Sequence, residues 1–67
     1  MDISLVIPLY NEAESLPELE AWIRRVMEEH GFSYEIIFIN DGSTDQSWEV
    51  IRELREKNPH VRGVKFR

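Results

Sequence analysis

Two short polar segments of this 67-residue chain carry the side chains best suited to hold a ligand. Residues 8–12 (PLYNE) form the first segment, and residues 40–45 (NDGSTD) form the second. Tyr10 presents a flat ring on which a base can stack. The Asp41 carboxylate can accept hydrogen bonds from the N–H of a base edge or from ribose hydroxyls, and the Glu12 carboxylate can accept from ribose hydroxyls as well. These residue types suit the binding of a nucleoside.

Each of these candidates also has a simpler structural explanation. Residues 41–45 could form a turn and a helix cap, with Gly42 adopting a positive φ. Tyr10 could cover the end of a sheet, and Glu12 could be a solvated acid that lies before a helix because the helix dipole favours it. Since the two polar segments occur together, we favour ligand binding over the structural explanation.

Several other chemistries lack their residues in this sequence. There is no G-x-G-x-x-G turn and no Walker-type Gly-Lys-Ser/Thr segment, so neither a dinucleotide site nor a P-loop is supported. No cysteine is present to act as a nucleophile, and we interpret His30 and His60 as structural. Trp22 and Trp48 follow the helical spacing of apolar neighbours, so we predict that both pack against a core. We therefore assign no catalytic residue.

The elements that must position the two segments alternate between strand and helix. Apolar runs at residues 3–9 and 34–39 predict strands suited to burial on both faces, and residues 61–66 predict a third strand. The resulting β-α-β-α-β unit predicts an α/β fold with a parallel three-stranded sheet, since both crossovers should be right-handed. Ligands of such sheets bind outside the carboxyl ends of the strands, where both polar segments fall. With strand order 3-2-1, both helices lie on one face and leave the other bare.

Capping signals predict the bounds of the two helices. The first should start at Ser15, which has Glu18 at capping-box spacing and a proline in the first turn. It should end at Gly31, a natural left-handed stop. Either Ser43 or Asp45 can cap the second helix, which an Asn-Pro pair should end.

Composition and charge limit the class of partner. A chain with 42% hydrophobic and 31% charged residues is typical of a small globular domain. The net charge of −5, without any basic run, argues against nucleic acid. No apolar stretch approaches the ~20 residues of a membrane span, so an anchor of the full protein would lie outside these residues. The absence of cysteine fits a reducing compartment, so we expect a cytoplasmic location. If the full-length protein is membrane-bound, we expect it at the cytoplasmic face.

The two segments together resemble the opening of family 2 glycosyltransferases. The similar residues are VIPLYNE at 6–12 and EIIFINDGSTD at 35–45, and the resemblance spans nearly all of the chain. It is particularly strong to enzymes that transfer a sugar from a nucleotide to a polyprenyl or dolichyl phosphate. The resemblance implies that residues 1–67 are a single partial domain, the N-terminal, donor-nucleotide-binding first half of a GT-A (Rossmann-like) domain. It also implies an inverting enzyme whose fragment alone is inactive.

The same resemblance implies a nucleotide-sugar site at the matching positions. Pro8 would touch the base through its backbone, Tyr10 would stack on the base, and Glu12 would lie near base or ribose. Ile39 would contribute backbone contacts, and Asp41 would hold base or ribose of a UDP- or GDP-sugar.

Other parts of the family site should lie outside the chain. The Asp-x-Asp element that holds Mg²⁺ or Mn²⁺ in the full-length enzyme would follow residue 67, as would the catalytic base and the site for the lipid-phosphate or other acceptor. We therefore assign no metal ligand. In the family mechanism, an acceptor oxygen attacks the anomeric carbon directly as the nucleoside diphosphate leaves.

Two alternatives stand beside this interpretation. The first is a non-catalytic α/β module, truncated or designed, that acts through its bare sheet face. The second is a receiver-like domain, which we rank low because the acidic pair after strand one and the acceptor aspartate after strand three are missing. A bare apolar face and an open strand edge also predict self-association.

Overall fold

The computed structural model describes residues 2–42 and 46–66, apart from the side chain of Phe66. Its three strands form one parallel sheet in the order β1-β2-β3, which confirms the predicted α/β fold and strand order. The second strand is two residues longer than predicted. The elements are β1 (Ile3–Leu9), α1 (Leu16–His30), β2 (Tyr34–Asp41), α2 (Ser47–Lys57) and β3 (Val61–Phe66).

Both helices cover the same face of the sheet. In β2, the even-numbered residues are buried and the odd-numbered ones are partly or fully exposed, because successive side chains point to opposite faces. The buried residues of the strands and of both helices form a single cluster, and the helices contact each other. The cluster consists of Leu9, Leu16, Ile23, Tyr34, Ile36, Phe38, Ile51, Leu54 and Val61.

The other face of the sheet is uncovered. Val6 is 56% exposed and Val64 is 45% exposed, and both lie on the same side as the partly exposed Ile37 and Ile39. The apolar runs that predict burial on both faces are therefore buried on only one face in this chain. We call this surface the open face.

Two carboxylates bind the strands together near their amino ends. Asp2 and Ser33 bond reciprocally, since the Ser33 N–H donates to Asp2 Oδ2 at 3.0 Å and the Asp2 N–H donates to Ser33 Oγ at 2.9 Å. The hydrogen bonds from Ser33 hold the pKa of Asp2 below its ordinary value. On the open face, Glu35 accepts from Ser4 Oγ at 2.7 Å and pairs with Arg62 at 3.4 Å. The bond from Ser4, followed by the contact with Arg62, lowers the pKa of Glu35.

The start of α1 at Ser15 is confirmed, but its capping differs from the prediction. Ser15 occupies the N-cap position, but its backbone is helical (φ −90°, ψ −14°) and its side chain caps no helix N–H. The Ser15 hydroxyl instead donates to the carbonyl and the carboxylate of Glu12, at 3.2 and 3.0 Å. The capping-box prediction is therefore wrong. The predicted stop at Gly31 is confirmed by a left-handed φ of 72°.

The helix α2 begins with Gln46 at its N-cap position and without a side-chain cap bond. The predicted caps, Ser43 and Asp45, lie outside the described residues. The helix ends at Lys57, as the Asn-Pro pair predicts, and the Asn58 N–H donates to the Leu54 carbonyl at 2.8 Å.

A buried polar cluster joins the end of α2 to α1 and β2. Asn58 Nδ2 donates to Glu20 Oε2 at 2.7 Å and to the Tyr34 hydroxyl at 3.1 Å. Arg24 donates to the same Glu20 oxygen at 3.2 Å. The ring of His60 stacks on Tyr34, with 4.5 Å between ring centroids, in accord with a structural role. Glu20 and Asn58 are each only 5% exposed, so these bonds supply the partners that buried polar groups require.

The two tryptophans differ in their surroundings. Trp48 is partly buried and packs against the core, as predicted. Trp22 is 59% exposed, so the prediction that it packs against the core is wrong. Ile23, the next residue, occupies the inward position of α1, which turns Trp22 to the side of the helix.

We predict that Gly63→Ala destabilises the fold. A Cβ at this position would lie 2.7 Å from Ile51 Cγ2 and 3.2 Å from a Trp48 ring carbon, and Ile51 is fully buried. Overpacking of this kind costs about 1–3 kcal/mol. Urea unfolding should therefore show a lower midpoint.

The matched control is Val64→Thr, the neighbouring position on the open face. This exposed substitution should change the free energy of unfolding by less than about 0.5 kcal/mol. An unchanged or raised midpoint in Gly63→Ala would show that Ile51 and Trp48 move aside and that the prediction is wrong.

Candidate functional site

The two polar segments follow neighbouring strands and begin side by side. In the parallel ladder, Pro8 pairs with Ile39 and Leu9 pairs with Asn40, the last pair between β1 and β2. Residues 10–12 therefore leave the sheet beside residues 41–42. The structure brings together the two ends that the sequence assigns to one site.

The first segment turns sharply after β1. The Tyr10 side chain is 58% exposed at the end of the strand. Asn11 has a φ of 53°, in the left-handed region that few non-glycine residues adopt but that asparagine tolerates. This conformation reverses the chain from β1 towards α1, and it leaves the Tyr10 ring accessible to a ligand.

Glu12 is fixed mainly through its backbone. Its N–H donates to Ser47 Oγ at 3.0 Å, and its carbonyl accepts from the N–H groups of Ser15 and Leu16 at 3.1 and 3.2 Å. The exposed carboxylate accepts from Ser15 Oγ through Oε2. Glu12 thus has a clear structural role at the start of α1, while its carboxylate lies at the surface of the candidate site.

The second segment begins with Asp41, the last residue of β2. Its side chain is exposed, whereas the preceding Asn40 is 3% exposed and lies on the side of the helices. Gly42 has a φ of 70°, which confirms the predicted turn. No atom lies within 4 Å of the position of a Gly42 Cβ, so the need for glycine comes from the backbone conformation and not from crowding.

Strand alternation places three of the five predicted site residues on the open face. Pro8 follows Val6 on β1, while Ile39 and Asp41 follow Ile37 on β2. These three positions occupy the carboxyl end of the uncovered surface. The sequence predicts a site at the strand ends, and the structure places these three predicted residues on the open face.

A shallow cavity adjoins the first segment. It has a volume of about 310 Å³ and is lined by Asn11, Glu12, Glu14 and Ser15. Two carboxylates border it, so its surroundings favour hydroxyl or N–H donors over a phosphate. Within residues 2–42 and 46–66, no three His, Asp or Glu side chains are grouped in a way that could hold a metal ion. No helix in the same part of the chain is long and apolar enough to cross a membrane.

Sequence reasoning overlooked Ser47. This residue is fully buried at the start of α2, where it accepts the Glu12 N–H. It lies on the inward stripe of α2 with Ile51 and Leu54, at spacings of four and three residues. A hydroxyl on an apolar helix stripe indicates a buried polar group that needs a partner. The position of Ser47 in this stripe is the feature of the sequence that could have identified it.

Comparison with known proteins identifies the family. Residues 4–67 match the profile of Glycosyl transferase family 2. The chain belongs to this family. The resemblance expected from the two polar segments is thereby confirmed, and the β-α-β-α-β sheet is consistent with the first half of a GT-A, Rossmann-like domain.

Curated relatives of this family 2 glycosyltransferase chain are much longer proteins. A bactoprenol glucosyl transferase of Shigella phage SfV is 39% identical over 66 residues, covering 98% of this chain and 22% of that protein. A dolichol-phosphate mannosyltransferase of Pyrococcus furiosus is 42% identical over 59 residues, covering 88% and 16%. An uncharacterized glycosyltransferase of Bacillus subtilis is 38% identical over 63 residues, covering 94% and 20%. The chain spans about a fifth of the length of these relatives.

Proposed function

We propose that this chain forms the base- and ribose-binding part of the donor site in a family 2 glycosyltransferase. The observation that carries the proposal is the β1–β2 register, which starts the Tyr10 and Asp41 segments side by side in a chain of this family. The donor is a UDP- or GDP-sugar. Its nucleoside lies at the carboxyl end of the open face.

Each residue of the proposed site has a distinct task. The exposed Tyr10 ring stacks on the base, and the Asp41 carboxylate accepts from the base edge or the ribose hydroxyls. The backbones of Pro8 and Ile39, paired across the two strands, line the base. The exposed Glu12 carboxylate accepts from ribose hydroxyls beside its bond from Ser15.

In the whole protein we propose transfer to a polyprenyl phosphate. The names of the relatives from phage SfV and from P. furiosus specify bactoprenol and dolichol phosphate. An acceptor phosphate oxygen forms a bond to the anomeric carbon while the bond from that carbon to the nucleoside diphosphate breaks. Attack opposite the leaving group inverts the anomeric configuration. A lipid acceptor brings the protein to a membrane surface, which we place on the cytoplasmic side.

The diphosphate and metal contacts are not assigned to the described residues. The grouped acids that Mg²⁺ or Mn²⁺ needs are absent from residues 2–42 and 46–66. The carboxylates of Glu12 and Glu14 border the cavity beside the first segment and disfavour a diphosphate there. We therefore limit this chain to nucleoside recognition and derive no step that involves the metal.

We predict weak nucleotide binding that depends on Tyr10 and Asp41. Titration with millimolar UDP and GDP should shift the amide NMR signals of Tyr10, Ile39, Asp41 and Gly42. Tyr10→Ala should weaken binding at least about fivefold, since base–aromatic stacking contributes about 1–3 kcal/mol. Asp41→Ala should weaken it similarly, because a hydrogen bond to a charged group contributes about 1.5–3 kcal/mol.

Trp22→Ala is the matched control for the aromatic substitution. Trp22 and Tyr10 are 59% and 58% exposed, but Trp22 lies on α1 and not at the strand ends that carry Tyr10 and Asp41. Its substitution should leave the nucleotide affinity unchanged. Unaltered amide signals at millimolar nucleotide, or a dissociation constant that Asp41→Ala leaves unchanged, would contradict the proposed site.

We expect the 67-residue chain to catalyse no glycosyl transfer. It covers about a fifth of its relatives, and its described residues hold neither a grouped metal site nor an assigned base. Incubation with UDP- and GDP-sugars, Mn²⁺ and a polyprenyl phosphate should yield no lipid-linked sugar. A longer family 2 enzyme serves as the positive control, and turnover by the 67-residue chain above the buffer rate would refute the expectation.

The open face supports a second candidate role, that of a module that pairs with a copy of itself. This face is apolar at its centre and carries both an acid and a base, Glu35 and Arg62, near one end. A second copy therefore meets both signs of charge and an apolar surface that matches its own. Burial of that surface contributes about 25 cal/mol per Å².

We predict reversible self-association at concentrations on the order of tens of micromolar, strengthened by salt. The net charge of −5 makes copies repel, and salt screens that repulsion. In sedimentation equilibrium, Val6→Lys on the open face should shift the chain towards monomer. Trp22→Lys is the control, because Trp22 is equally exposed but lies on α1. A wild-type monomer at every concentration tested would overturn this role.

A further inference from the structure

A hydrogen bond between residues 35 positions apart links the two segments of the candidate site. The Glu12 N–H donates to Ser47 Oγ at 3.0 Å. Ser47 is fully buried, whereas Glu12 belongs to the exposed first segment. The bond therefore connects a surface loop to an anchored position at the start of α2.

The first segment contains little other regular structure. The ladder between β1 and β2 ends at Leu9 and Asn40, so the sheet does not hold Tyr10. Asn11 lies in the left-handed region, which is less favourable than the right-handed one for a residue with a Cβ, although asparagine adopts it more readily than most. Such a conformation persists only when its surroundings fix it, and Glu12 is the next residue along the chain.

Glu12 is fixed from two directions. Its carbonyl accepts from the first N–H groups of α1, and its N–H donates to the first residue of α2. Ser47 is also joined through the chain to Asp41, since residues 42–46 connect β2 to α2. The bond from Glu12 to Ser47 thus ties the Tyr10 segment to the element that follows the Asp41 segment.

We propose that Ser47 is a positioning residue for the donor site. Its hydroxyl holds the main chain at Glu12, and this fixes the Tyr10 ring relative to Asp41. Ser47 is buried and touches no ligand, yet nucleotide affinity depends on it. The inference rests on the proposed function and adds to it a residue that acts through the loop.

The test compares Ser47→Ala with Ser47→Thr in the complete 67-residue chain. In the absence of nucleotide, Ser47→Ala should accelerate hydrogen exchange of the Glu12 amide at least about fivefold relative to the core amides of Ile36 and Phe38, since it removes the acceptor. The dissociation constants for UDP and GDP should rise at least about fivefold. Ser47→Thr keeps the hydroxyl, so its relative Glu12 exchange rate and its dissociation constants should match those of the unaltered chain. If the extra methyl group of threonine lowers global stability, the core amides will exchange faster as well, and the comparison with them reveals that effect.

Asn58→Ala provides the control for a purely structural effect. Asn58 is a buried polar residue at the far end of α2, where it bonds Glu20 and Tyr34. Its substitution should lower global stability without changing Glu12 exchange relative to the core or the affinity of the folded chain. Stability curves of all the variants then identify conditions under which each is folded.

Three results would overturn the inference in distinguishable ways. Unchanged relative exchange at Glu12 in Ser47→Ala would show that the bond does not order the loop, whether or not nucleotide binds. A second contrary result is faster Glu12 exchange in Ser47→Ala with an unchanged nucleotide affinity, while Asp41→Ala weakens binding as expected. It would show that the order of the loop does not affect the site. Absence of binding in the unaltered chain would refute the proposed function itself, and with it the positioning role.

Discussion

The pairing of β2 with a parallel neighbour on each side is the constraint on which the rest of the structure depends. Ile36 and Phe38 of this central strand are fully buried, and both helices pack over them. Burial of a large apolar side chain contributes about 1.5–3 kcal/mol, so β2 holds much of the core of a small domain. Because its neighbours run parallel to it, every strand ends at the same edge, and the polar segments emerge together.

The two faces of this sheet differ in burial. The side chains that point to the helices form the buried cluster, whereas those on the open face are partly or fully exposed. Pro8, Ile39 and Asp41 belong to the second set. These three residues are therefore not part of the buried cluster, and substitution of their side chains need not unfold the protein.

Features that depend on neighbouring residues could be predicted from the sequence. The order of strands and helices, the left-handed stop at Gly31 and the turn at Gly42 follow from apolar spacing and from glycine chemistry. The family follows from two linked motifs. The strand order was also predictable, because right-handed crossovers allow few arrangements of three parallel strands.

Features set by distant contacts could not be predicted in the same way. The exposure of Trp22 depends on how α1 is rotated about its axis against the sheet. Helical spacing does not determine that rotation closely enough to decide which of two adjacent residues points inward. The partner of the Ser15 hydroxyl depends on the turn at Glu12. The role of Ser47 requires a bond to a residue 35 positions away.

The buried Glu20 has a consequence for the way in which the two helices find their places. Its oxygen receives the donor of Asn58, the residue that follows α2, only when α1 lies at one position along α2, whereas the Arg24 donor lies on α1 and moves with Glu20. A shift by one helical turn would move Glu20 by about 5.4 Å and separate its buried carboxylate from the Asn58 amide. A hydrogen bond to a charged group contributes about 1.5–3 kcal/mol, so the shifted packing would be less stable by an amount of this order. Glu20 therefore favours one alignment of the two helices over shifted packings of the same apolar surfaces.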